Sequence, residues 1–597
     1  MPMETTLTLP MRPARPFIGE EFVLKTWDEV KPLYDNLVER PLNNADELRR
    51  WLADRSELES YLSENFAWRY IRMTCDTSDA DLINQFNFFI TEIQPQLSAY
   101  ENTLDKRTVE SPYLTELREK GFDIALRGMK KAIEIFRDEN IPLQTEIQTE
   151  QRKYGALVGA MTISVNNTEG VPEEITLPQA GTLLQSPDRA LREDVWLKIQ
   201  ERRYQDKDQL DELYTRLRDL RHQVAVNAGF ANFRDYIFAA MGRFDYTPQD
   251  CFDFHASVSK AVVPLLDQLA LERKAKLARV DAAFDVLRPW DAKVDPDGLP
   301  ALKPFETGNE LLNKTITCFN RLDAAVGGSY FSDCLRIMKA MGHLDLESRK
   351  GKAPGGYNYP LEEIGVPFIF MNATSSLRDL VTMVHEGGHA VHSFLTRDLP
   401  LKPFRNPPME VAELASMSME LLTMDSWDVF FENPEDLKRA KIQHLESIIE
   451  TLPWVATIDK FQHWVYETAA DPAATVDARK TAWVRIFEEF SDTITSWDGL
   501  EKYEAYSWQK QLHLYEVPFY YIEYGIAQLG AIGVWMNFRQ DPQKGLQGYM
   551  NALKLGYTAP IRDIYRAADV PFDFSEAHIG RLIRFVWDEI ERLKKGF

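Results

Sequence analysis

Three histidines and one glutamate fall within eight positions, His385-Glu386-Gly387-Gly388-His389-Ala390-Val391-His392. Leu377, Leu380, Val381, Val384 and Val391 give this stretch an apolar side at helical spacing. On a helix, His385 and His389 stand at i and i+4 and leave one face about 6 Å apart along the axis. That spacing suits two ligands of a tetrahedral zinc, with Zn–N bonds of about 2.1 Å. Glu386 projects about 100° round from His385, beside such an ion. A carboxylate there can take a proton from a metal-held water. His392 returns to the same face, but about 10 Å along the axis from His385, too far for one ion to reach all three. It is expected either to support the ligands or the cleft, or simply to pack.

His-Glu-x-x-His is the spacing used by zinc metallopeptidases. A third ligand must come from elsewhere, leaving a fourth position open for water if the site is catalytic. The stretch 407–427 offers Glu410, Glu413 and Glu420 on roughly one stripe, amid Val411, Ala412, Leu414, Ala415, Met417, Met419, Leu421 and Leu422. Acidic groups that face a core are costly unless paired or metal-bound, so this stripe is where the third ligand is expected. Gly387 and Gly388 need their own reason, because each glycine in a helix interior costs about 1 kcal/mol relative to alanine.

The elements around these residues are mostly helical. Apolar residues recur at three- and four-residue steps over 45–64, 113–136, 208–230, 436–452 and 577–595. Ser376 and Asp379 form a capping pattern at the start of the histidine helix. Residues 160–181 alternate on either side of Asn-Asn-Thr-Glu-Gly and read as a hairpin. Residues 287–310 read as a long loop, and 351–372 as a loop around Gly355-Gly356 followed by a short strand at Phe368–Met371. The expected fold is mostly α, with a small β element beside the histidine helix. Two domains are expected: an N-terminal helical one over 1–200 and a catalytic one over 201–597.

With 597 residues, 44% hydrophobic and 27% charged, the chain is long enough for a large core. A net charge of -23 argues against nucleic acid and anionic membrane as partners. Cys75, Cys251, Cys318 and Cys334 form no CxxC pair, which fits a reducing compartment without disulfides. The opening residues lack the apolar run of a secretory signal, and no stretch approaches 18 apolar residues. The expected location is cytoplasmic, so the glycosylation pattern Asn372-Ala373-Thr374 is read as chance.

His-Glu-Gly-Gly-His, followed 24 residues after His389 by the glutamate of VAELASMSMELL, resembles the thimet oligopeptidase and oligoendopeptidase F zinc peptidases, and oligoendopeptidase F more closely. The likeness extends to 176–196, 227–236, 352–357 and 508–530. The first hundred residues carry no matching motif. The resemblance implies one zinc held by His385, His389 and Glu413, with Glu386 as catalytic base and Glu420 orienting a ligand histidine. It also implies a two-lobed helical zincin-type fold with a deep internal channel. Gly388 then lets the helix carrying Glu413 come close; Gly387 is assigned nothing beyond room for substrate.

Residues 503–525 pack six tyrosines and His513 into 23 positions. Tyr503, Tyr506 and Tyr515 are read as core. By the resemblance, Tyr524 donates to the oxyanion, with His513 as a further contact and Tyr520 and Tyr521 toward substrate. Gly355, Gly356 and Tyr357 are further candidates for substrate binding. The strand at Phe368–Met371 could pair with an extended peptide. The expected activity is cleavage of internal bonds in short unstructured peptides by a metal-activated water. The alternatives are an inactive peptide-binding protein on the same fold and a zinc carboxypeptidase-like hydrolase. A monomer is expected, with a homo-oligomer as the other possibility.

Overall fold

A computed structural model describes residues 7–166 and 170–596. The chain is mostly helical, with five short strands among the described residues. No described helix is long and apolar enough to cross a membrane. Two compact units form, each from three separate stretches. The first comprises Met1–Glu134, Leu302–Lys441 and Ile526–Phe572; the second comprises Ile135–Ala301, Ile442–Gly525 and Asp573–Phe597. The boundary expected near residue 200 lies inside the helix Arg189–Gln205, within the second unit.

Most of the expected helices are present; Ala45–Cys75, Pro434–Glu467 and Glu576–Lys595 run longer than their periodic stretches, while Lys207–Asn227 stops three residues short of its own. The stretch 113–136 is not one helix. It breaks into a 3-10 turn at Leu114–Glu116 and a helix over Phe122–Ile135. Gly121 sits at φ +97°, and a Cβ there would lie 2.8 Å from Thr558 Cβ, so the break is set by a turn that favours glycine and by a packed neighbour.

In the second unit, β1 (Thr162–Asn166) and β2 (Pro172–Thr176) pair antiparallel, as the alternation predicts. Asn167, Thr168 and Glu169 of the expected turn lie outside the described residues.

In the first unit, β3 (Leu344–Glu347), β4 (Tyr357–Tyr359) and β5 (Phe368–Ala373) form a sheet in the order β3-β5-β4. β5 is the strand expected at Phe368–Met371, but it pairs parallel with β3 and antiparallel with β4. Both of its edges are occupied, so it cannot also pair with a peptide. The expectation is corrected: the edge next to the histidine helix belongs to β4.

The first hundred residues support this sheet. Ala67 and Ile71 of the helix Ala45–Cys75 pack with Leu361, Phe368 and Phe370, all buried. Thr74 Oγ1 lies 2.6 Å from the Tyr357 hydroxyl. The backbone amides of Glu363 and Ile364 donate to Glu64 Oε2 at 2.8 and 2.9 Å, which fixes the entry to β5. Lys352 has a fully buried side chain. Its ammonium donates to the carbonyls of Asp345 and Glu347 on β3 and of Met371 on β5, and lies 4.4 Å from the centre of the Phe370 ring.

Candidate metal centre

The histidine helix spans Leu377–Thr396 and starts in a capping box between Ser376 and Asp379. The glutamate helix spans Met409–Thr423 and is buried along almost its whole length. The two touch at backbone distance. A Cβ on Gly388 would lie 2.6 Å from Ala415 O and 2.6 Å from Ser416 Cα, so only glycine permits this approach. The cost of glycine in a helix is thereby explained at position 388. At Gly387 a Cβ would meet Phe319 Cζ at 2.7 Å, so the space there is filled by a core ring and not kept for substrate.

This close approach gathers three donors. Ligand atoms of His385, His389 and Glu413 all lie within 4.8 Å of one another. Glu413 Oε2 is 3.4 Å from His385 Nε2 and 3.8 Å from His389 Nε2. Four ligands about 2.1 Å from a tetrahedral ion stand about 3.4 Å apart, so these separations fit a shared cation with little movement. The imidazole planes are 86° apart with centroids at 5.0 Å, which turns both Nε2 atoms inward without stacking the rings. The side chains of His385 and His389 remain 21% and 19% exposed while Glu413 is only 6% exposed, leaving access on the histidine side.

Hydrogen bonds from neighbouring groups support these donors. Glu420 Oε1 takes a 2.6 Å hydrogen bond from His385 Nδ1. Ser416 Oγ donates to Glu413 Oε2 at 3.0 Å, and His389 bonds to the Ala412 backbone. Asn358 of β4 donates to the Glu386 carbonyl at 3.0 Å, tying the edge strand to the helix. Ser416 was legible as i+3 from Glu413, although nothing marked it; Asn358 carries no sequence signal.

The electrostatics suit a cation. Burial opposes charge on His385, but Glu413 and Glu420 outweigh it and hold its pKa well above the ordinary value. Burial pushes His389 down to about 4, so that ring stays neutral. Burial also acts to raise Glu413, yet its hydrogen bonds with His385 and Ser416 and the positive charge on His385 bring it to about 2, keeping it ionised. Glu386 is buried, and burial lifts its carboxyl to about 7.

Other candidates are placed differently. His392 is buried and neutral, pushed down to about 3 by burial, and stands outside the converging donors. Glu410 is also buried and outside them. The Tyr357 ring stacks on Phe370 at 4.8 Å and its hydroxyl meets Thr74, so both are taken up within the protein. Gly355 holds φ +100°, and the Asn372 amide donates to the carbonyls of Ala353 and Gly355, giving that asparagine a structural role.

His513, Tyr520, Tyr521 and Tyr524 form one aromatic cluster in the second unit. The His513 ring lies 4.8 Å from Tyr521 and 6.1 Å from Tyr524, and Tyr520 lies 5.2 Å from Tyr524. The Gln511 amide donates to His513 Nδ1 at 2.6 Å, which leaves Nε2 to carry the proton. Burial lowers the His513 pKa and keeps the ring neutral. Phe519, just before this cluster, is buried at φ +65°, a strained conformation for a bulky residue. Gln462 Oε1 accepts from its amide at 2.6 Å and Arg243 donates to its carbonyl, holding the turn that aims the tyrosines. No sequence pattern announced it. Tyr515 is core, as expected, stacked on Tyr154 at 4.2 Å.

Residues 182–581 match the family described as Peptidase family M3, and residues 19–136 match the Peptidase M3 N-terminal domain. An oligoendopeptidase F homolog of Lactococcus lactis subsp. lactis (strain IL1403) is 22% identical over 437 residues, 71% of this chain and 68% of that protein. Oligopeptidase PepF of Bacillus subtilis (strain 168) is 22% identical over 424 residues, 68% of this chain and 58% of that protein. Among solved structures, PZ peptidase A with inhibitor 2 superposes with a TM-score of 0.84 at 26% identity, covering 96% of this chain and 99% of that one. The oligoendopeptidase-F of Enterococcus faecium shares the fold at 14% identity, with a TM-score of 0.64 over 95% of this chain and 98% of that one.

Proposed function

Since the chain belongs to peptidase family M3 and is a metalloendopeptidase, we propose that it hydrolyses internal bonds of short unstructured oligopeptides with one zinc held by His385, His389 and Glu413. The observation that carries this reading is the convergence of two imidazole nitrogens and one buried carboxylate at tetrahedral spacing. Two nitrogens and one oxygen, with a fourth position open, form a catalytic zinc donor set. Zinc bound there supplies Lewis acidity that acidifies water and polarises the scissile carbonyl.

The chain's own residues do the rest. Glu386 takes a proton from the attacking water and returns it to the leaving amine nitrogen. Glu420 keeps the Nδ1 proton on His385, which directs Nε2 at the ligand position. Tyr524, with the Nε2–H of His513, donates to the developing oxyanion. The β4 edge, with Gly355 and Gly356 leading into it, accepts an extended peptide as an added strand. Backbone hydrogen bonds then give affinity without reading side chains, which suits varied short substrates; Tyr520 and Tyr521 contact their side chains. The four cysteines form no disulfide, in keeping with a cytoplasmic enzyme.

The deciding experiment is Glu386→Gln. That variant is expected to bind zinc as before while peptide hydrolysis falls by about 10²–10⁴-fold or more. Retained turnover would remove Glu386 from the mechanism.

A further inference from the structure

A second group of metal-ligating side chains converges far along the chain from His385, in the second unit. Cys251 and His255 stand at i and i+4 on the helix Pro248–Ala261. Asp459 and His463 stand at i and i+4 on the helix Pro434–Glu467. Residues at that spacing share one helix face, so each helix presents a matched pair of donors to the other. Ligand atoms of Cys251, Asp459 and His463 all lie within 4.8 Å of one another. His255 Nε2 is 2.8 Å from Asp459 Oδ2, and His463 Nε2 is 3.3 Å from the same oxygen.

The pocket is dry. None of the four residues is more than 2% exposed. Phe252 and Phe519 lie 4.7 and 5.2 Å from the His463 ring, and Phe490 lies 6.4 Å from the His255 ring. In that setting Asp459 Oδ1, His463 Nδ1 and His255 Nδ1 are buried without a hydrogen-bond partner. Buried polar atoms are nearly always paired, and several orphans in one cluster point to a missing partner such as an ion. As ligands, a thiolate and a carboxylate would supply two negative charges, which one divalent cation balances.

We propose that Cys251, Asp459 and His463 bind a second divalent cation, with zinc favoured by the thiolate, imidazole and carboxylate donors. His255 holds the Asp459 carboxylate in place. Since the donors are enclosed, the ion has no position open to a substrate and acts structurally, fastening the helix Pro248–Ala261 to the helix Pro434–Glu467.

Metal analysis of the full chain tests this. After zinc loading and removal of free metal, the wild-type chain is expected to hold two zinc ions, and the His385→Ala/His389→Ala variant one. Adding Cys251→Ser to that variant should abolish the remaining ion. Cobalt gives an independent readout, because only the second site contains sulfur. Cobalt-loaded wild-type protein should show thiolate-to-cobalt charge-transfer absorption in the near ultraviolet, and Cys251→Ser should remove it. A wild-type stoichiometry limited to one zinc, or cobalt-loaded protein without the thiolate band, would overturn the proposal. Both measurements use the unaltered chain, so neither depends on a variant folding.

Discussion

His385 Nδ1 donates a 2.6 Å hydrogen bond to Glu420 Oε1, a carboxylate oxygen two helical turns beyond Glu413 on the same helix. One helix thus supplies both a candidate metal ligand and the group that orients another. Glu420→Gln replaces an ionised acceptor by a neutral amide and weakens that control. Zinc affinity, measured by competition with a chelator, is expected to fall about 10–100-fold. An unchanged affinity would show that His385 is oriented by packing alone.

Gly388 and Gly387 differ in what they touch, so their alanine variants should fail differently. At Gly388 the new methyl meets the Ala415 carbonyl and Ser416 Cα, and Ser416 is also the residue that bonds Glu413. The glutamate helix must therefore shift, which moves Glu413 away from the histidines. At Gly387 the methyl meets only the tip of the Phe319 ring. Overpacking of this kind costs about 1–3 kcal/mol, and alanine's better helix propensity returns about 1 kcal/mol. Both variants should melt at lower temperature, but only Gly388→Ala should also lose zinc. Equal zinc content in the two would refute this account.

How much of this could be read from the sequence depended on how local each feature is. His385, Glu386, His389 and the stripe of Glu413 and Glu420 obey helical spacing, so their shared faces are fixed within a few residues. Ser376 and Asp379 are equally local, and their capping box forms as expected. The pairing of strands is not local. The apolar run Phe368–Met371 marks a strand, but nothing in it tells that β3 and β4 take both of its edges. The same holds for Thr74 against Tyr357 and for Glu64 against Ile364, which join residues nearly 300 positions apart. The break at Gly121 was hidden because apolar periodicity continues across it. Phe519 at positive φ was hidden because the residue type disfavours that conformation, and only surrounding contacts enforce it.

The clamp on Asp345 should make the sheet sensitive to acid. Arg349 donates to both of its oxygens at 2.6 and 2.7 Å, and Lys352 donates to Oδ1 at 2.9 Å. Burial alone would raise this carboxyl, yet those hydrogen bonds win and hold its pKa at about 2, below the ordinary 3.8. A depressed folded-state value means the pairing contributes fully above pH 3.8 and is lost as pH falls through about 2. Asp345→Asn resembles the protonated acid. Wild type should be more stable than this variant at pH 5 by urea unfolding, and the gap should close toward pH 2. A gap that stays constant over that range would exclude the ionised carboxylate as its source.

Tyr524 offers the most direct check on the aromatic cluster. Tyr524→Phe removes a single hydroxyl and keeps the ring that packs at 5.5 Å from Tyr521 and 5.2 Å from Tyr520. If the phenol serves only packing, kcat and KM should both stay near wild type. If it donates to an oxyanion, the loss appears where charge develops, so kcat should fall about 10²–10³-fold with little change in KM. Zinc content should not change, because the hydroxyl is not among the converging donors at His385, His389 and Glu413. A variant that raised KM while sparing kcat would assign Tyr524 to substrate binding and leave the oxyanion to His513, whose Nε2–H is fixed by the Gln511 hydrogen bond. Gln511→Ala would then release that tautomer and lower kcat in turn, separating the two donors.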